Sequence, residues 1–139
     1  MNKICTSLEQ SKKLIELGID VETADMYYTS EHSTPSIMTG AKSDYSSYIP
    51  AWSLSTLLKL IKSEIYGENI YGDTITYKVN FRKYKLTDDV DLYQIAYGSI
   101  KFDVDGQHSF KDMVNTGEKE NLIDAAFEMI VWLKENKKI

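Results

Sequence analysis

The run Asn121-Leu-Ile-Asp-Ala-Ala-Phe-Glu-Met-Ile-Val-Trp-Leu133 constrains this chain more than any other segment. At helical spacing, Asp124, Glu128, Val131 and Glu135 form a narrow stripe that holds the acidic residues, and nearly everything else in the run is apolar. A helix apolar over most of its circumference must be covered by other elements. The segment therefore predicts a central helix and a fold organised around packing. Its apolar surface is also more than one small sheet covers, so a homodimer fits the pattern.

With 139 residues, one domain with one core is the expectation. Apolar content of 42% and charged content of 27% are those of an ordinary globule. A net charge of -5 opposes nonspecific attachment to nucleic acid or to an anionic membrane. Cys5 is the single cysteine, which excludes an intramolecular disulfide and a thiolate-built metal site. The opening residues carry no apolar leader core, and the longest strictly apolar run, Met129 to Leu133, is too short to span a bilayer. The cytoplasm is the default expectation.

Ser7-Leu-Glu-Gln10 has the form of a capping box and predicts a helix from Ser7 to Leu17, closed by Gly18 with Ile19 folding back on Leu14. Ala24 to Tyr28 reads as a short strand. Residues 29–50 show no sustained period and contain nine Ser or Thr and both prolines. A loop of that length is usually functional or mobile. A second helix starts at Ser53, with Trp52 and Leu57 at the spacing of a hydrophobic staple. Leu54, Leu57, Leu58, Ile61 and Ile65 give it one apolar face, and Gly67 is a plausible stop.

Ile75, Tyr77, Val79 and Phe81 alternate with Thr76, Lys78, Asn80 and Arg82, the pattern of a half-buried strand. Tyr93, Ile95 and Tyr97 alternate again, but Ile100, Phe102 and Val104 resume out of phase. A two-residue turn at Gly98-Ser99 accounts for the jump and predicts a hairpin pairing 92–97 with 100–105. One long strand with a bulge at Gly98 is the competing reading. The expected core is Trp52, Leu57, Leu58, Ile61, Ile75, Tyr77, Phe81, Ile95, Phe102, Leu122, Ala126, Phe127, Ile130 and Leu133. The architecture expected is α+β, a mainly antiparallel sheet of three or four strands. Helices near 7–17, 53–66 and 118–136 pack on one face to make two layers.

Chemistry-bearing motifs are weak. Asp103-Val-Asp105-Gly106 matches part of a calcium loop, but the twelfth position counted from Asp103 is Val114, which is no ligand. His32 and His108 stand in no ligand spacing, and His108-Ser109 lacks an elbow or oxyanion loop. Asp88, Asp89 and Asp91 read as a charged turn. No catalytic residue, metal set or cofactor is implied. Ten tyrosines are unusual, although most fall on strand-like segments where aromatics are favoured.

Three segments carry a resemblance: Leu14-Ile-Glu-Leu-Gly-Ile-Asp20 with Thr23-Ala-Asp-Met-Tyr-Tyr28, Ile49-Pro-Ala-Trp-Ser-Leu-Ser-Thr-Leu-Leu-Lys-Leu60, and Ile123-Asp-Ala-Ala-Phe-Glu-Met-Ile-Val-Trp-Leu-Lys-Glu-Asn136. Together they resemble a family of small uncharacterised proteins encoded in Bacteroidales genomes, prophages and other mobile elements. The resemblance covers about half of the chain, namely the helical frame and first strand, and implies a bacterial intracellular setting with an accessory role. It transfers no functional residue.

The leading functional expectation is a noncatalytic accessory protein that binds another protein. Tyr45, Tyr48 and an exposed edge of Trp52 would be its contact surface, presented where the 29–50 loop enters the second helix. Against this stands the simpler role of Tyr48 and Trp52 as cover for the core. An enzyme or small-ligand protein with an unrecognised pocket is one rival. A nucleic-acid binder is the other, using Lys78, Arg82, Lys83, Tyr84, Lys85 and Lys101 on the solvent face of the sheet. Stacking aromatics are largely missing from that face in this reading, which weighs against it.

Overall fold

The computed structural model describes residues 3–30, 33–40, 47–102 and 104–139. It has an α+β fold with two antiparallel sheets. The chain begins with α1 (Leu8–Glu16), followed by β1 (Met26–Tyr28), β2 (Ser36–Ile37) and β3 (Ile49–Ala51). Then come α2 (Leu54–Leu60), β4 (Glu64–Glu68), β5 (Thr74–Lys85), β6 (Asp91–Phe102), β7 (His108–Asn115) and α3 (Leu122–Glu135).

Local signals built α1 as read. Ser7 and Gln10 form the reciprocal capping box, at 3.0 and 3.1 Å. At the other end Ile19 N–H bonds Leu14 O and Gly18 N–H bonds Ile15 O, both at 3.0 Å, the two bonds of a Schellman cap. The cap needs a left-handed residue, and Gly18 supplies it with φ of 87°.

α3 is the central helix. Asn121 caps it by accepting from Ile123 N–H at 2.8 Å. Ile123, Ala125, Ala126, Met129, Ile130 and Leu133 are buried, and the helix packs on β6 and α2. No large apolar residue of α3 is exposed. Its apolar surface is thus buried or half-buried within the chain, with Leu122, Phe127, Val131 and Trp132 half-buried.

The described part of the 29–50 region is less irregular than its composition suggests. β2 and β3 flank β1 in a three-stranded sheet of order β2-β1-β3. These strands are two or three residues long, too short for alternation to show.

The second helix is shorter than its apolar spacing indicates. It ends at Leu60, and Ile61 is already extended at φ -83°, ψ 111°. Ile65 keeps the apolar spacing by coincidence: it is buried in β4, opposite Tyr77. Gly67 lies inside that strand and does not end the helix. Ser53 occupies the N-cap position without a capping bond from its own side chain. Asp25 ties down this end of the helix from a distance, accepting from Ser53 N–H at 2.8 Å and from the Thr56 hydroxyl at 3.1 Å.

The larger sheet has the order β4-β5-β6-β7. The expected hairpin at Gly98 is absent. β6 runs unbroken from Asp91 to Phe102, paired along its length with β5 and then β7, and the bulge lies in its pairing with β7 between Tyr97 and Gly98. The apolar residues change face; the strand does not turn. Tyr93, Ile95 and Tyr97 point to the helices, while Ile100 and Phe102 point away. Beyond Gly98 the strand outruns the helical layer, and no burial requirement dictates which face is apolar. Phe102 is accordingly 67% exposed; Phe81, on the inner face opposite Ile95, is 49% exposed, and neither belongs to the core as expected. Leu58, Ile75, Tyr77, Leu122 and Phe127 are half-buried, and Trp52, Leu57, Ile61, Ile95, Ala126, Ile130 and Leu133 are buried.

Candidate functional site

The residues that gather most distinctively lie on the outer face of the sheet where β6 and β7 pass the helices. Directly opposed residues share a face. The register therefore sets Gly98, Ile100 and Phe102 on that face with Asp112, Phe110 and His108. Ile100 is 55% exposed, and the Phe102 and His108 rings touch at 4.6 Å between centroids.

Arg82 closes this surface on the β5 side. Its guanidinium grips Asp112 with both nitrogens, one contact measuring 2.8 Å, and meets Gln94 at 3.1 Å. It also lies over the Phe110 ring, 5.5 Å from the centroid. Small residues make this reach possible: Ala96 and Gly98 of β6 leave the intervening floor low. A Cβ at Gly98 would stand 2.6 Å from the Phe110 ring and 2.3 Å from Lys111 O. Gly98 is thus a packing glycine that seats Phe110.

The Arg82 hydrogen bond holds the Asp112 carboxyl below its usual range. A depressed folded-state pKa contributes stability above the unfolded value and loses it as pH falls through the folded one. Asp112→Asn should therefore be less stable than wild type by a constant margin from about pH 5 to 7, and the margin should shrink as pH falls below the unfolded aspartate value of about 3.9 and vanish below the folded one. Urea midpoints measured against pH check this; a margin that persists in acid would assign the cost elsewhere.

The proposed basic patch divides between two faces. Lys78, Arg82 and Tyr84 are on the outer face, whereas Lys83, Lys85 and Lys101 fall on the inner one, by strand alternation. Three of the lysines are also met by acids: Lys78 lies 4.0 Å from Glu64, and Lys83 and Lys85 lie 3.5 and 3.6 Å from Asp91. Lys101 stands with Lys111, Ser99, Ile75 and Tyr77 around a shallow depression of about 210 Å³. Asp91 is therefore an ion-pair partner at the end of the sheet. His108 and Ser109 point to opposite faces as strand neighbours and do not form a pair.

Of the loop residues, Tyr45 lies outside the described residues, as do His32 and Asp103. Tyr48 is half-buried and stacks on Tyr27, with 4.9 Å between centroids and 11° between planes. Trp52 has no exposed edge. It is 0% accessible, and its indole N–H donates to the Thr23 hydroxyl at 2.8 Å. The reason is its position between β3 and α2, where the staple pulls the ring inward.

A second depression of about 370 Å³ is lined by Lys3, Ile4, Cys5, Ser7, Tyr28, Thr34 and Pro35. Burial pushes the Cys5 thiol up, against nucleophilic use. Tyr28 donates to Thr6 O at 2.9 Å, and burial raises its phenol as well. Among the described residues, no three His, Cys, Asp or Glu side chains come together as metal ligands. Among the described residues, no helix is long and apolar enough to cross a membrane.

The sequence pattern does not mark the outer-face residues Ile100, Phe102 and Phe110 as a surface. Their signal was the phase jump at Gly98, which read as a turn. Comparison of the chain with protein-family models, curated proteins and solved structures finds no match.

Proposed function

We propose that this chain is a noncatalytic accessory protein that binds another protein through the outer face of its large sheet, at the β6–β7 end. One observation carries the reading. Ile100 and Phe102, 55% and 67% exposed, continue into Phe110 and His108 as an apolar and aromatic surface. The pinned Arg82–Asp112 pair borders it. Aromatic anchors beside an ordered arginine are the composition of protein-contact hot spots. Tyr48 and Tyr45 of the loop stay in the proposal as a secondary contact, without Trp52. The resemblance to proteins of bacterial mobile elements supplies the setting this reading assumes.

A second reading has a specific observation in its favour. Phe102, Phe110 and Tyr84 are aromatics on an open sheet face, a form suited to stacking single-stranded bases. The ion-paired state of Lys78 and Arg82 and the net charge of -5 favour the protein partner over it.

The test is affinity recovery from bacterial lysate with and without nuclease, comparing wild type with an Ile100→Ser, Phe102→Ser double variant. Both side chains are exposed, so thermal stability should change little. Nuclease-resistant proteins retained by wild type and lost by the variant are the expected result. Equal recovery by the variant removes this surface from consideration, and nuclease-sensitive recovery favours the second reading.

A further inference from the structure

The two edges of the large sheet are treated differently. At the β4 edge the Lys138 ammonium reaches over and bonds Tyr66 O at 2.6 Å. At the other edge, no described strand pairs with the free side of β7. The direction of the β7 main-chain groups follows from the ladder. Tyr93 and Lys119 exchange both N–H···O bonds, at 2.6 and 2.8 Å. Odd-numbered residues of β6 therefore turn their peptide groups toward β7 and even-numbered ones toward β5. The bond from Leu86 N–H to Val90 O at the β5–β6 turn has the same parity. His108, Phe110 and Asp112 oppose the even-numbered Phe102, Ile100 and Gly98. These three thus direct N–H and C=O outward, and their side chains share the outer face.

Three outward residues at spacing two, with Phe110 in the middle, make a self-complementary strand. We infer that two copies of this chain pair antiparallel through β7, about a two-fold axis at Phe110, joining two four-stranded sheets into one of eight strands. A two-fold axis perpendicular to the sheet keeps outer face with outer face. Phe110 then meets its counterpart in the second copy, and His108 meets Asp112 of the second copy, twice by symmetry. An imidazole opposite a carboxylate is a complementary pair.

The adjacent registers that preserve the faces are poorer. One sets Lys111 directly against Lys111 of the second copy, two like charges in the closest cross-strand position. The other centres on Ser109 and leaves the outward groups of Asp112 unpaired. The register at Phe110 sets Lys111 opposite Ser109 and uses the outward groups of His108, Phe110 and Asp112 together. This contact goes beyond the outer-face reading: it uses the edge of the sheet, and its partner is the same chain.

Sedimentation velocity of the purified chain over a concentration series tests the inference, with Ser109→Lys and Ser109→Glu variants alongside. Ser109 is exposed, so both variants can fold, and the dissociation constant is the quantity read. Wild type should dimerise. Ser109→Lys sets a lysine against Lys111 at two symmetric positions and should weaken the dimer by a few-fold to about thirtyfold; Ser109→Glu should tighten it over a similar range. A monomer at every concentration overturns the inference, as does a dimer whose constant responds to neither charge.

Discussion

Trp52→Ala should lose about 3–5 kcal/mol of folding stability, the usual cost of emptying a large aromatic site in a core. The ring is fully buried, and its indole N–H is bonded to the Thr23 hydroxyl at 2.8 Å. The backbone at this position is also engaged: Trp52 N–H bonds the buried Thr6 hydroxyl at 3.1 Å, and Thr6 N–H returns a bond to Trp52 O at 2.9 Å. Truncation therefore opens a cavity where the N-terminal segment, β3 and α2 meet. Urea denaturation measures the loss. A surface aromatic would show a change within about 0.5 kcal/mol, and that outcome would contradict the burial described. Because of this cost, Trp52 variants are unsuitable probes of partner recognition.

Gly98→Ala should cost about 1–3 kcal/mol, the range for forcing extra volume into a packed position. The added Cβ meets Lys111 O at 2.3 Å as well as the Phe110 ring at 2.6 Å, so a ring shift alone cannot relieve it. Part of the penalty should disappear in a Phe110→Ala background, where only the main-chain contact persists. The double-mutant cycle reads this as non-additivity. Strict additivity would mean that the ring is not seated on the glycine. A turn at 98–99 predicts no such coupling, so the experiment also separates the continuous strand from a hairpin.

Acid sensitivity of the Arg82–Asp112 pair bears on the same surface. The pair fixes the arginine over the Phe110 ring, and protonating Asp112 removes the charge that holds it there.

The chain determines by itself those features whose causes are local. Ser7 and Gln10 close a capping box, Gly18 supplies the left-handed residue, and the 3.6-residue apolar repeat makes α3 a helix that must be buried. The α+β class followed from such signals. The tertiary structure decided what local periodicity leaves open. Ile65 suits a helix face and a strand face equally, and pairing with Tyr77 settled it. β7 was hidden because the extra residue Met113 at its bulge resets the alternation, so that Phe110 and Val114, of equal parity, face opposite sides. The apolar pattern jumps at Gly98 as it would at a turn, although the jump marks where the sheet leaves the helices. The candidate surface at Ile100, Phe102 and Phe110 lies beyond that boundary. A side chain's face follows from alternation along the strand, but whether that face is covered depends on where the helices end, and only the folded arrangement decides that.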